Sequence, residues 1–196
     1  GHQQPTPTTR LQRMSIVFFL LETLFFFLMA LALLRAWMNH LRVHMSAQPG
    51  RFAIAVTDWL VQPVRRMLPR ALAQSRIDWG SILSAILLAL AYGGIWLLLA
   101  SGVSDVSDSP ITWVVTILTM ALRILVRTLL QGLMILLIGY AILSWVQPQS
   151  PVMATLDRLL APLLRPIRRV IPLVGGVDLS VLVLIILLQV GLMALG

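Results

Sequence analysis

Four runs of about 20 mostly apolar residues constrain this chain more than any other feature of its sequence. They cover residues 15–37, 79–100, 128–146 and 177–196. A helix needs about 20 such residues to cross the hydrocarbon core of a bilayer. Only 11% of the residues are charged, and the mean hydropathy is +0.92, whereas a soluble domain carries about 25% charged residues. The sequence therefore predicts an all-α membrane protein with four transmembrane helices.

The segments outside these runs are interpreted from their composition. Residues 1–13 are polar and contain Pro and Thr, which indicates a disordered tail or a tag remnant. Residues 101–127 connect the second and third runs. Their part from residue 111 onwards is helical in pattern but carries Arg123 and Arg127, so we interpret 101–127 as an outer loop followed by an interfacial helix that extends the third run.

The distribution of arginine predicts an orientation. All 15 basic residues are arginine. Two connecting segments carry a concentration of them, namely Arg42, Arg51, Arg65, Arg66, Arg70 and Arg76 in the first and Arg158, Arg165, Arg168 and Arg169 in the second. The positive-inside rule places both segments on the cytoplasmic face of a bacterial inner (plasma) membrane, in a multi-pass protein with both termini outside. Trp37 and Trp145 are then expected at the cytoplasmic interface.

The two Arg-rich segments resemble each other. The first contains W-L-V-Q-P-V-R-R-M-L-P from Trp59, and the second contains P-L-L-R-P-I-R-R-V-I-P from Pro162. Each follows a run that ends in Trp, and each precedes an aspartate, Asp78 or Asp178. Self-similarity of this kind predicts an internal repeat, with residues 14–100 as the first copy and 128–196 as the second. Each copy holds two spans, so the repeats are predicted to be parallel.

Each Arg-rich segment is also predicted to form an amphipathic helix, over residues 53–70 and 152–171. Apolar residues recur there at helical spacing, with charged residues on the opposite face. Such a helix is expected to lie in the membrane interface with its apolar face among the acyl chains. Prolines should kink or end these helices; those that frame the arginine pairs are Pro63, Pro69, Pro166 and Pro172.

The pattern L-S-W…P-L-L-R-P-I-R-R-V-I-P…G-G-V-D-L-S resembles the YggT (YlmG) family of small bacterial membrane proteins. The resemblance covers residues 14–196. It is closest in the second copy, since the first has Trp59 in place of a proline and Gln62 in place of an arginine. What the resemblance implies is an accessory role in membrane organisation, cell division or tolerance of osmotic stress. Plastid relatives are similarly linked to cytochrome assembly and to thylakoid organisation.

Five arginines are the candidate binding residues, namely Arg65, Arg66, Arg165, Arg168 and Arg169. Guanidinium binds phosphate in a bidentate manner, and an arginine near an anionic membrane contributes about 1 kcal/mol to binding. We therefore predict binding of anionic phospholipids or of a partner protein. A role in setting topology alone is the alternative. Because the arginines lie between apolar spans, nucleic acid is not an expected partner.

Two sets of acidic residues carry further hypotheses. Asp78 and Asp178 open the second span of each repeat, where each could cap its helix or also pair with the Arg-Arg turn of its own repeat. Glu22 lies inside the first span, where an unpaired charge costs about 3 kcal/mol. We predict an interhelical pair between Glu22 and Arg127 or Arg123. A protonated Glu22 that hydrogen-bonds within the bundle is the main rival, and a proton or cation site is a third interpretation.

No catalytic set is visible in the sequence, so we predict a protein that is not an enzyme. It has no cysteine, and His40 and His44 lack a suitable third ligand nearby, so neither a metal site nor a cofactor is predicted. The leading hypothesis is an inner-membrane scaffold whose cytoplasmic loops bind anionic phospholipids or other membrane proteins, including further copies in a homo-oligomer. The alternative is a small ion channel or transporter acting in osmotic response.

Overall fold

The computed structural model of the chain describes residues 6–43, 49–73, 75–101, 109–171 and 179–196, and all regular secondary structure in these ranges is helical. The predicted all-α class is therefore confirmed. The helices are α1 (Pro7–His40), α2 (Gly50–Met67), α3 (Arg70–Ala73), α4 (Trp79–Ser101), α5 (Pro110–Val146), α6 (Pro151–Val170) and α7 (Leu179–Leu195).

Three of these helices, α1, α4 and α5, are long and apolar enough to cross a membrane. Helices α1 and α5 have 34 and 37 residues, so at about 1.5 Å per residue each exceeds 50 Å. Both are thus longer than a hydrocarbon core of about 30 Å. Helix α7 is also apolar, and its described part has 17 residues.

The ends of α1 and α5 correct two predicted boundaries. Residues 7–13, predicted to be disordered, form the first turns of α1, because Pro7 occupies a first-turn position where its fixed φ favours a helix. Helix α5 continues without a break across residue 127. Its N-terminus is capped by Ser109, whose hydroxyl accepts a hydrogen bond from the Thr112 amide at 3.4 Å. Residues 111–127 are therefore part of the same helix as the third apolar run, and the two arginines do not interrupt it.

Helix α5 lies between the two halves of the chain. It packs against α4 and α1 of the first half and against α7 and α6 of the second. Met29 shares a buried cluster with Ala121, and further along both helices Met38 shares another with Leu137. Helices α1 and α5 therefore run in the same direction.

The apolar side of α6 lies inside the protein. Leu156, Leu159, Leu160 and Leu164 are buried in a cluster with residues of α1, α5 and α7. The expectation that the apolar side lies among acyl chains is therefore wrong for these four leucines. The ends of the three longer helices provide an apolar surface onto which the leucines pack closely, and close packing supplies dispersion contacts that a fluid acyl chain supplies less well.

Helix α2 divides its apolar residues between two faces. Ala53, Thr57, Val61 and Val64 are buried, where α2 packs against α1 and α4. Trp59, which belongs to the predicted apolar stripe, is instead exposed. Part of the predicted apolar face of α2 is therefore exposed. The face that is buried includes Thr57, a polar residue.

Prolines have less effect on α2 and α6 than expected. Pro63 lies inside α2, and Pro162 and Pro166 lie inside α6, yet neither helix is divided there. An internal proline removes one backbone hydrogen bond, and packing of the rest of the helix compensates for that loss. Pro69, by contrast, separates α2 from α3. Pro172 lies outside the described residues.

Candidate functional site

Asp78 gathers polar contacts from three helices at the N-terminus of α4. Its Oδ2 accepts hydrogen bonds from Asn39 Nδ2 on α1 at 2.5 Å, from Arg65 Nη2 on α2 at 2.8 Å and from Ser81 Oγ at 2.7 Å. Its Oδ1 accepts from the Ser81 amide at 3.3 Å, which is the geometry of an N-cap. The structure thus brings Asp78 into both contacts considered for it, capping of its own helix and pairing with the first arginine of the Arg-Arg pair.

The surroundings of Asp78 favour its ionised form. Burial by itself would raise the pKa of the carboxyl group, but hydrogen bonds from Ser81 and Asn39 and the charge of Arg65 together outweigh that effect. The pKa of Asp78 consequently lies below its usual value. The pair with Arg65 is therefore a pair of full charges at neutral pH, and it joins α1 and α2 to the start of α4.

Gly80 makes room for the Arg65 side chain. A Cβ atom at position 80 would lie 3.0 Å from Arg65 Nε and 3.3 Å from Cδ, closer than such atoms ordinarily approach. Arg65 crosses the backbone of α4 here on its way to Asp78. The absence of a side chain at Gly80 is thus part of the geometry of the Arg65–Asp78 pair.

The two arginines of each Arg-Arg pair have different surroundings. Arg65 contacts Asp78, whereas Arg66 is exposed. In α6 both arginines are exposed, but Arg168 Nη2 donates to the Tyr140 hydroxyl at 3.1 Å. Consecutive residues of a helix lie about 100° apart, so only one of two adjacent side chains can face a given neighbour. The first arginine of each pair bonds to a residue of another helix, Asp78 for Arg65 and Tyr140 for Arg168, and the second is exposed.

Tyr140 links α5 to α6 through a second bond. Its hydroxyl donates to Asp157 Oδ1 at 3.2 Å while it accepts from Arg168. Trp37 makes a further connection, because its Nε1 donates to the Leu159 carbonyl oxygen at 3.0 Å. Trp37 therefore ties α1 to α6, while Trp145, the other predicted interface residue, is 80% exposed.

Arg35, which was not among the predicted site residues, is buried near the end of α1. Its Nη1 donates to Asp58 Oδ1 at 2.9 Å and to Thr57 Oγ1 at 3.3 Å, while its Nε is buried without a partner. Two features of the sequence could have identified Arg35 as a site residue. Arg35 interrupts an apolar run, and Asn39 follows it by four residues, which places both on one face of the helix.

The predicted interhelical pair of Glu22 with Arg127 or Arg123 is not formed. Arg127 Nη2 donates instead to the main-chain oxygen of Gly196 at 3.1 Å, at the end of α7. Glu22 and Arg123 are both exposed. The prediction of this pair is therefore wrong. Similar depth along two helices is not sufficient for an ion pair, because the two side chains must also face each other. Their direction depends on how the helices pack.

The remaining predicted residues are not brought into these contacts by the described part of the structure. Arg165 is exposed like Arg66 and Arg169. Asp178 and His44 lie outside the described residues. In the part of the chain that the structure describes, no group of three or more His, Cys, Asp or Glu side chains is arranged to hold a metal ion.

Comparison with known proteins identifies the family of this chain. The family model CCB3/YggT matches residues 14–99 and 119–196. The protein YggT of Escherichia coli (strain K12), described as uncharacterized, is 35% identical over 180 residues, which cover 90% of this chain and 87% of that protein. An uncharacterized protein of Vibrio alginolyticus, from the proC 3'region, is 33% identical over 177 residues, covering 90% of this chain and 91% of the relative. No solved structure matches at a significant level. The resemblance noted in the sequence is confirmed, and the chain belongs to the CCB3/YggT family of bacterial proteins with membrane-like apolar helices.

Proposed function

We propose that the chain is a multi-pass protein of the bacterial inner membrane with α1, α4, α5 and α7 as its four transmembrane helices. The length and apolar composition of the first three support this, as does the apolar composition of α7. The match of the family model to two successive segments supports an arrangement as two parallel repeats. The Arg-rich segments with α2 and α6 then lie on the cytoplasmic side.

Within this topology, we propose a non-enzymatic scaffold whose cytoplasmic surface binds anionic phospholipids. The observation that carries this proposal is that some arginines are paired with carboxylates while others are exposed. Asp78 neutralises Arg65 and Asp58 neutralises Arg35, whereas six arginines on and around α2, α3 and α6 are exposed and have no carboxylate within 4.0 Å among the described residues. These exposed arginines, which we call the basic surface, are Arg66, Arg70, Arg76, Arg158, Arg165 and Arg169. At about 1 kcal/mol each, they favour an anionic membrane leaflet.

Apolar side chains beside the basic surface favour a lipid over a soluble partner. Met67, next to Arg66, is 85% exposed, and Val170, next to Arg169, is 81% exposed. Trp59 is exposed on the same helix as Met67. Apolar residues among acyl chains and arginines among phosphates are the arrangement of a helix at a membrane interface.

Binding of phosphatidylglycerol tests this proposal. We would purify the full chain in detergent and count bound phosphatidylglycerol and phosphatidylcholine by native mass spectrometry. The variant Arg66→Gln with Arg169→Gln should bind phosphatidylglycerol about thirtyfold more weakly, since two arginines contribute about 2 kcal/mol. The matched control is Arg10→Gln with Arg13→Gln, two exposed arginines in the first turns of α1. Equal affinity of both variants, or no preference for the anionic lipid, would contradict the proposal.

A labelling experiment tests the orientation. The chain has no cysteine, so a single cysteine can be labelled without background. A membrane-impermeant maleimide should label Thr8→Cys in intact spheroplasts and should label Arg66→Cys only after lysis. Labelling of Arg66→Cys in intact spheroplasts would place the basic surface outside and overturn the topology.

A further inference from the structure

The guanidinium of Arg35 has a hydrogen-bond donor that no described residue satisfies. The side chain is only 4% exposed, and its Nη1 donates to Asp58 Oδ1 and to Thr57 Oγ1. Its Nε is buried and has no acceptor among the residues that the structure describes. A buried N–H without an acceptor destabilises a protein, and more so when the group is charged. Arg35 therefore calls for an acceptor that the described part of the chain does not supply.

A recess between α1, α2 and α4 lies beside this side chain. Its empty volume is about 170 Å³, part of which is open to the surroundings, and most of its lining is apolar. The lining includes Leu28 and Ala32 of α1, Thr57, Trp59 and Leu60 of α2, and Leu88 of α4. Arg35 follows Leu28 and Ala32 on the same face of α1, and a long side chain on a helix leans toward the helix N-terminus. The guanidinium, which also bonds to Thr57, therefore lies at one end of the recess.

The polar and apolar ends of the recess match the direction of a lipid in the cytoplasmic leaflet. On α2, Asp58 bonds to Arg35, whereas Leu60 packs against a cluster that contains Met29. Met29 precedes Arg35 on α1 by about 9 Å along the helix axis, and α1 runs toward the proposed cytoplasmic side. The end with Arg35 thus lies toward the lipid headgroups, and the apolar end lies toward the middle of the bilayer. Trp59 lines the recess and is 59% exposed, so the recess reaches a surface of the protein that lipid can contact.

The charge balance at Arg35 favours a neutral acceptor. Asp58 lies 2.9 Å from Arg35 Nη1 and compensates its charge. A phosphate group at Nε would bring a further negative charge into a largely buried place, which is unfavourable. The ester carbonyl groups of a phospholipid are neutral hydrogen-bond acceptors, and they lie just below the phosphates, where the acyl chains begin. An ester carbonyl therefore fits both the charge and the depth of Arg35.

We infer that one phospholipid of the cytoplasmic leaflet binds between α1, α2 and α4. One of its ester carbonyl oxygens accepts a hydrogen bond from Arg35 Nε, and the first part of that acyl chain occupies the recess. The inference rests on the proposed placement of α2 at the cytoplasmic side. It does not depend on the basic surface, because that surface selects anionic headgroups, whereas this site holds the ester region that diester phospholipids share.

Ether-linked lipids test the role of the carbonyl group. The full chain in mild detergent is mixed with diester or diether phosphatidylcholine, and bound lipid is counted by native mass spectrometry. The wild type should bind one diester lipid about tenfold more tightly than the diether lipid, which has no carbonyl group. Arg35→Met should lose this preference. Arg66→Met, which removes an exposed arginine of the same helix, should keep it. Equal binding of the two lipids by the wild type, or a preference that survives Arg35→Met, would overturn the inference.

Filling the recess tests the position of the acyl chain without changing Arg35. Leu28→Trp places a larger side chain in the lining and should weaken binding of the diester lipid about tenfold. Leu24→Trp is the matched control, because Leu24 lies one turn earlier on α1 and is exposed, and it should bind the lipid like the wild type. Equal binding by the two variants would place the acyl chain outside the recess and overturn the inference.

The same measurements separate this site from the basic surface. Preference for the diester lipid, in a wild type that does not prefer phosphatidylglycerol to phosphatidylcholine, would support the Arg35 site and contradict the basic surface. Preference for phosphatidylglycerol, without discrimination between diester and diether phosphatidylcholine, would overturn the Arg35 site and leave the basic surface in place.

Discussion

Arg65 reaches the Asp78 carboxylate at 2.8 Å by crossing the backbone of α4 where Gly80 has no side chain. Helices α2 and α4 are joined by this contact, and Asn39 extends it to α1. Three helices thus depend on one carboxylate. Substitutions around Asp78 should affect the stability of the whole first half of the chain.

Gly80→Ala should destabilise the protein. The added Cβ would displace the middle of the Arg65 side chain and not only its flexible end, so we expect a loss of about 1–3 kcal/mol, as for an overpacked core position. Gly94→Ala in the same helix is the control, since a Cβ there meets nothing within 4 Å. Thermal unfolding in detergent measures both. An equal loss of stability in the two variants would show that the close contact between Arg65 and position 80 does not contribute to the effect of Gly80→Ala.

The stability that Asp78 provides should depend on pH. Its pKa is lowered in the folded chain relative to the usual value of 3.8, so as the pH falls the unfolded chain binds the proton first. The stabilisation is therefore complete above about pH 5 and is lost as the pH falls through the folded-state pKa, below about pH 4. We expect the melting temperature of the wild type to fall toward that of Asp78→Asn between pH 5 and pH 3. A difference between the two proteins that stays constant over this range would contradict the lowered pKa.

The Arg35–Asp58 pair should respond unequally to loss of its two members. Arg35 is 4% exposed in its side chain and Asp58 is 43% exposed. Asp58→Ala leaves a buried guanidinium without its counter-ion and should cost about 2–3 kcal/mol, somewhat less than for a fully buried pair. Arg35→Met removes the buried charge and leaves an aspartate that water can reach, so the loss should be smaller. The double variant should match Arg35→Met alone. Unfolding curves in detergent that reverse this order would show that the pair is not governed by burial of Arg35.

Trp37→Phe should weaken the attachment of α6 to α1. The substitution keeps most of the ring but removes the hydrogen bond to the Leu159 carbonyl, which is worth about 1 kcal/mol. Limited proteolysis between α5 and α6, together with thermal unfolding, measures the effect. Trp145→Phe is the control because Trp145 is largely exposed, and it should leave both measurements unchanged. If Trp145→Phe also speeds cleavage, the faster cleavage of Trp37→Phe cannot be attributed to loss of the hydrogen bond to Leu159.

Some features of the fold and site follow from local sequence. The apolar runs predict helices of membrane-spanning composition because the hydrocarbon core sets both their length and their polarity. The position of Asp78 directly before an apolar run predicts a helix N-terminus, and Asp78 does cap α4. Both predictions depend on neighbouring residues alone. The extension of α1 to Pro7 was missed because a polar segment of unremarkable composition can continue a helix once apolar residues have begun it.

The sequence alone determined an all-α chain with membrane-like apolar helices, its family, and the concentration of arginine in two segments. Only the tertiary structure decided that Arg65 is paired while Arg66 is exposed, that Arg35 has a counter-ion, and that Glu22 does not pair with Arg123 or Arg127. The physical reason is that apolar length and charge are properties of consecutive residues. The direction in which a charged side chain points, and what it meets, depends on how helices distant in sequence pack around it.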